Sequence, residues 1–231
     1  MRIFANSMQL LAGPPSACSP VSDRVEAFAV GRDGLVYRWS LRGTTWSGPA
    51  PLPAIQGVAV PRVGLCAIAS AHDLVEVFAV DSRARTPVWW RGTGGSWFAG
   101  PRPVLPSLPA NAALHPVPVA AVAAPAGVLH VFAAGADGRP WRWQWNPGIG
   151  WNLMGPPMPG TNLPAVRLAA VSAGPGRLDV FGVGSDKRLY QWRSRDWGGH
   201  WELRDLGGNL HAVGVSAVSV SYTHLTLPTK A

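Results

Sequence analysis

Aromatic and hydrogen-bonding side chains recur along this 231-residue chain at nearly constant spacing. Tyr37 and Trp39, Trp141 and Trp143, and Tyr190 and Trp192 follow Phe28, Phe132 and Phe181 by nine and eleven residues. Arg38, Arg142 and Gln191 stand between the members of each pair. Glu26, Glu76, His130 and Asp179 lie two positions before Phe28, Phe78, Phe132 and Phe181. An aromatic plane for the C–H face of a polyhydroxylated ring, ringed by donors and acceptors for its hydroxyls, is a combination that holds a sugar. The candidate ligand-binding residues are therefore Tyr37, Arg38, Trp39, Trp141, Arg142, Trp143, Tyr190 and Trp192. Packing competes for the same residues, because phased aromatics also fill interiors. A polar residue recurring inside an apolar strand needs a partner in either case, such as an indole N–H or an arginine. Trp145 and Trp197 fall outside the repeat phase, so they are expected on exposed rims.

Those residues belong to a stretch present four times. It reads RVEAFAVGRDGLVYRW at 24–39, LVEVFAVDSRARTPVWW at 74–90, VLHVFAAGADGRPWRW at 128–143 and RLDVFGVGSDKRLYQW at 177–192. A second tryptophan follows in each copy, at Trp46, Trp97, Trp151 and Trp201. A period near 50 residues marks a repeat architecture in which each unit buries its faces against its neighbours. Within a copy, a short β-branched or aromatic run, a Gly/Asp turn and an alternating run such as Leu35, Tyr37, Trp39 predict a β-hairpin. A small-residue apolar run precedes each hairpin, for example LAAVSA at 168–173, and a Gly/Pro-rich exit follows the second tryptophan. Four short strands per copy is the inventory of a propeller blade, with Ala, Val and Ser where strands crowd the axis and large rings further out. The expected fold is all-β: an incomplete β-propeller of about four four-stranded blades plus a partial fifth, forming an open arc.

The blade pattern resembles that of the bacterial seven-bladed β-propeller lectins of the PLL type. Their repeats read much like RLDVFxxGxDxxLYxW followed by a Gly-rich turn and another tryptophan, and the resemblance covers residues 16–218. It implies a carbohydrate-binding lectin that holds fucosylated or O-methylated glycans in pockets between blades, without catalysis. Repetition favours this use, since several weak sites presented together gain avidity. Copy two departs from the pattern: DSRARTP at 81–87 replaces the Gly/Asp turn and adds a residue. Two other readings stay open. A sialidase-like propeller glycosidase is suggested by the Asp-containing turns GRDG and GADG, although a hydrolase should show one copy broken by unique acid, base or nucleophile residues, and none of the four does so clearly. A protein-binding propeller scaffold is the other.

Composition narrows the partners. The net charge is +8, and among 20 basic residues only Lys187 and Lys230 are lysine. The arginines are scattered through the repeats with no run, so a nucleic-acid footprint, which clusters, is not indicated. No apolar stretch reaches transmembrane length, and the N-terminal segment carries too short an apolar run for a convincing signal peptide. The glycans that the resemblance implies stay the expected partner, with no nucleic acid, no membrane span, and room for a homo-oligomer of the full-length protein. Cys18 and Cys66 both fall on predicted inner strands, as small buried hydrophobes or as a disulfide between adjacent blades. The six histidines are isolated, so no metal and no cofactor are expected.

Residues 1–15 match no part of the repeat and are read as a leader or arbitrary start. The copies occupy 16–65, 66–116, 117–166 and 167–209, and residues 210–219 open a fifth. Residues 220–229 (VSYTHLTLPT) resemble an in-frame translation of a transposon end and sequencing adapter, so 220–231 are set aside as a non-native tail. The expectation is a fragment whose two end faces stay open.

Overall fold

The computed structural model describes residues 14–55, 64–81, 86–155, 158–160, 162–164, 166–211 and 215–217, with the backbone alone at 99–104. Residues 1–13, half of the expected fifth copy and the whole adapter-like tail lie outside the described residues.

Each copy folds as one four-stranded antiparallel meander. The first sheet is β1 (Ser16–Val21), β2 (Arg24–Val30), β3 (Val36–Arg42) and β4 (Thr45–Pro51). The second is β5 (Cys66–Ala71), β6 (Leu74–Val80), β7 (Pro87–Thr93) and β8 (Ser96–Val104). The third is β9 (Ala120–Ala123), β10 (Leu129–Ala134), β11 (Pro140–Asn146) and β12 (Gly150–Leu153). The fourth is β13 (Ala169–Gly174), β14 (Arg177–Val183), β15 (Leu189–Ser194) and β16 (Glu202–Gly207). This is the expected all-β architecture.

The hairpin turns show why Gly and Asp recur. Gly31 N–H donates to Leu35 O at 2.8 Å and Gly34 N–H to Gly31 O at 3.0 Å. Asp33 then accepts from the Leu35 amide at 3.1 Å and from the Tyr37 hydroxyl at 2.6 Å. Asp186 does the same for the Arg188 amide and the Tyr190 hydroxyl, at 3.1 and 2.6 Å, and Asp137 accepts from the Arg139 amide and the Trp141 indole N–H, at 3.2 and 3.3 Å. The last turn residue is left-handed, at φ 80° in Gly34 and 75° in Gly138, where a side chain costs energy. Lys187 adopts the same conformation, at φ 66°.

Neighbouring sheets lock together through three repeated contacts. The small-residue strands β1, β5, β9 and β13 abut in series, and the Ala67 amide donates to Ser16 Oγ at 2.9 Å across the first junction. Next, the phenylalanine of one sheet meets the second tryptophan of the following sheet edge-on. Phe28 meets Trp97 at 5.3 Å, Phe78 meets Trp151 at 5.8 Å and Phe132 meets Trp201 at 5.8 Å between ring centroids. Last, the buried tryptophan of the third strand reaches back to a carbonyl in the exit of the preceding sheet. The bonds are Trp90 Nε1 to Pro53 O, Trp143 Nε1 to Pro106 O and Trp192 Nε1 to Pro159 O, at 2.8, 2.7 and 2.7 Å. Three apolar clusters follow, one at each junction, around Phe28, Phe78 and Phe132. Burying one such aromatic side chain contributes roughly 1.5–3 kcal/mol. The core is therefore distributed between sheets.

Cys18 lies on β1 and Cys66 on β5, as expected, and both are free thiols. Burial pushes the Cys18 thiol up to about 12, which keeps it protonated and unreactive.

Candidate functional site

Alternation along β2, β6, β10 and β14 directs the residue two before each phenylalanine to the same sheet face as that ring, toward the following sheet where one is present. Here the recurring polar group meets its partners. At the first junction Glu26 accepts from Arg38 at 2.6 and 3.1 Å and from Ser40 Oγ at 3.1 Å, and Arg24 lies 3.1 Å from it. The Arg38 guanidinium sits 5.5 Å over the Trp97 ring of the next sheet. At the second junction Glu76 accepts from Trp89 Nε1 at 2.5 Å, Arg91 Nε at 3.0 Å and Ser70 Oγ at 2.9 Å. Arg91 lies 4.8 Å from the Trp89 ring and 5.7 Å from Trp145 of the third sheet. On the fourth sheet Asp179 accepts from Gln191 at 2.7 Å, Arg193 at 3.0 Å and Arg177 at 2.6 Å.

These carboxylates are almost wholly buried, whereas their arginines keep part of their surface in solvent. Glu26 is 1% and Glu76 0% exposed; the Arg38 and Arg91 side chains are 14% and 23% exposed. Burial raises the Glu76 carboxyl above the ordinary glutamate range, and Arg91, Trp89 and Ser70 hold it back. At each of these two junctions a guanidinium locked to a carboxylate therefore lies against an indole of the next sheet. The guanidinium offers fixed N–H donors, and the indole offers an apolar plane.

The residues singled out from sequence divide into three groups. Arg38 lies at the first of these junctions, and Arg142 lies at the third, over the Trp201 ring. Tyr37, Trp141 and Tyr190 staple the hairpin turns to Asp33, Asp137 and Asp186, away from the acid–arginine pairs. Trp141 also lines a cavity of about 380 Å³ with Asn111, Ala112 and Asp137. Trp143 and Trp192 are 0% exposed and carry the bonds to Pro106 and Pro159, so they build the junctions from inside. Trp39, their counterpart on the first sheet, is half-buried. Trp145 and Trp197, expected on rims, are half-buried at the second and third junctions, where Trp145 packs 5.0 Å from Trp89 and Trp197 stacks parallel to His130 at 6.5 Å.

Sequence reasoning did not select Glu26, Glu76, Arg91, Asp179, Arg193, Trp97 and Trp145 as binding residues. A signal existed for the acids, namely their fixed place before each phenylalanine. The arginines gave none, because they reach the acid from two positions. Arg38 and Arg142 pair across the ladder with Phe28 and Phe132, whereas Arg91 and Arg193 pair with Glu76 and Asp179 themselves.

No protein-family model and no curated protein matches the sequence. Solved structures do. SapL1 lectin, determined in complex with alpha methyl fucoside, is 20% identical with a TM-score of 0.66 over 89% of this chain and 66% of its own. BP39L lectin from Burkholderia pseudomallei is 20% identical with a TM-score of 0.66, over 88% of this chain and 59% of its own. The fucose-recognising lectin of Aleuria aurantia, a six-bladed β-propeller, is 18% identical with a TM-score of 0.61, over 88% of this chain and 68% of its own. The fold is thus that of the β-propeller lectins. The chain spans less than two thirds of the length of the first two.

Proposed function

We propose that this chain is a carbohydrate-binding lectin of propeller type that holds neutral, fucose-type sugars in the clefts between sheets, without chemistry. The observation carrying this reading is the acid–arginine pair of one sheet facing an indole of the next, present at both the first and second junctions. A pyranose hydroxyl accepts from the guanidinium, which the buried carboxylate holds in place, while the apolar patch of the ring lies on Trp97 or Trp145. Arg38 contacts ligand directly; Tyr37, Trp141 and Tyr190 brace the hairpin turns, and Trp39, Trp143 and Trp192 lie on the opposite sheet face, so these six support the site without touching the ligand. Solved lectins of the same fold are described with fucosides, which supports the sugar class.

The non-catalytic reading is supported by where the carboxylates are spent. Glu26, Glu76 and Asp179 are held by arginines, and the turn aspartates by tyrosine and indole donors, so none is poised as a general acid at the clefts. The finer assignment to the seven-bladed PLL type, arranged here as an arc of blades, is supported by the repeat pattern. It also fits Trp46, 48% exposed on the first sheet, and half-buried Phe181 on the fourth, each one half of the interlock that closes the inner junctions. Calorimetric titration with methyl α-L-fucoside tests the function. Saturable binding lost in Arg38→Ala together with Arg91→Ala is expected; no heat at millimolar sugar contradicts it.

A further inference from the structure

The third junction departs from the first two at the residue two positions before the phenylalanine. Where Glu26, Glu76 and Asp179 stand in the other sheets, β10 carries His130, paired across the ladder with Gln144 as Glu26 is with Ser40. Its side chain is 0% exposed, and neither ring nitrogen has a hydrogen-bond partner among the described residues. Burial, reinforced by the Arg142 charge, pushes its pKa down to about 3, so the imidazole is neutral.

Arg142, the counterpart of Arg38, therefore lacks the carboxylate that Arg38 holds. Its Nη1 donates to Trp197 O at 3.0 Å, and its guanidinium lies 5.7 Å over the Trp201 ring of the fourth sheet. Asp196 favours its charge from a distance, but that carboxylate is engaged by the His200 amide at 2.9 Å, the His200 ring at 2.5 Å and Ser194 Oγ at 2.8 Å. An arginine only 7% exposed, without a counter-charge in contact among the described residues, is a costly arrangement on its own. A carboxylate entering from solvent supplies the missing charge, in the geometry a guanidinium favours. In the first two clefts the buried glutamates repel the same group.

We infer that the third cleft, built by His130, Arg142, Trp197 and Trp201, selects a sugar bearing a carboxylate, of the uronic-acid type. This rests on the sugar-binding reading above and assigns a second ligand class to one of its clefts.

The test follows the tryptophan indole N–H resonances of the full chain during titration with methyl β-D-glucuronide, with its methyl ester, and with methyl α-L-fucoside. The glucuronide is expected to shift Trp201 and Trp197, and the neutral ester to bind at least about tenfold more weakly, the equivalent of about 1.4 kcal/mol. His130→Glu rebuilds the acid–arginine pair and should weaken the glucuronide by a similar factor while fucoside binding persists. Should Arg142→Ala prove too unstable to use, the comparison of acid with ester on the unaltered chain still decides. Fucoside binding with no glucuronide binding, or with acid and ester bound equally, overturns the inference and leaves the general reading intact. Undiminished glucuronide binding by His130→Glu overturns it as well. If neither sugar binds, the sugar-binding reading itself fails and takes this inference with it.

Discussion

At the scale of single residues, His130 carries a consequence for stability that is separate from any ligand. A histidine whose folded pKa lies near 3 against an ordinary 6.5 stays neutral in the folded state and charges in the unfolded one. The folded state then binds fewer protons. Its contribution is fully present above about pH 6.5 and is lost as pH falls toward 3, at up to roughly 1.4 kcal/mol per pH unit. Denaturant midpoints compared at pH 7 and pH 4 should show a smaller acid loss in His130→Gln than in the unaltered chain. Equal losses would show that the imidazole is not buried as described. Trp192 gives a second prediction at this scale. Fully buried and bonded to Pro159, it should cost about 3–5 kcal/mol when replaced by alanine. Trp46, 48% exposed, should cost less than about 0.5 kcal/mol when replaced by serine. Both are read from urea titrations. Sequence alone could not rank these tryptophans, because phasing shows that positions are equivalent and not which face each ring covers. Nor could it show that His130 would be left without a partner, since its place in the repeat is the place of an acid that does find one.

At the scale of the element, the hairpins were legible because their chemistry is local. The Gly-x-Asp turn needs a left-handed residue, an aspartate to accept from the amide two residues on, and in copies one, three and four an aromatic donor to staple it. All of these sit within seven residues. Lys187 occupies the left-handed position that Gly34 and Gly138 occupy elsewhere, so Lys187→Gly should stabilise the fourth sheet by about 0.5–1 kcal/mol, measured by thermal or urea denaturation. A loss of stability would mean the lysine side chain makes up for its backbone strain. The acid–arginine pairs were not legible for the opposite reason. Whether an arginine lies on the acid's own ladder rung or on the phenylalanine's is decided by ladder register and by the approach of the next sheet, neither of which a spacing encodes.

At the scale of the whole molecule, each sheet leans on its neighbours through the same phenylalanine–tryptophan and indole–carbonyl contacts. Stability is then close to a sum over junctions, as in other repeat proteins. Phe78→Ala, in the middle of the series, should cost about 3–5 kcal/mol, and Phe181→Ala, half-buried on the fourth sheet, clearly less. Equal costs would mean that Phe181 is covered as completely as Phe78. The arginine-rich charge also finds its explanation here. Arg24, Arg38, Arg91, Arg177 and Arg193 are engaged with buried acids at the sheet faces, which accounts for basic residues spread through the repeats rather than gathered into a patch. The central claim is that the junction clefts, and not the buried first tryptophans, meet the ligand. Indole N–H resonances recorded during titration with methyl α-L-fucoside test it most directly. The account predicts saturable shifts of Trp97 and Trp145 with Trp143 and Trp192 unmoved, and shifts confined to Trp143 and Trp192, or absent throughout, would contradict it.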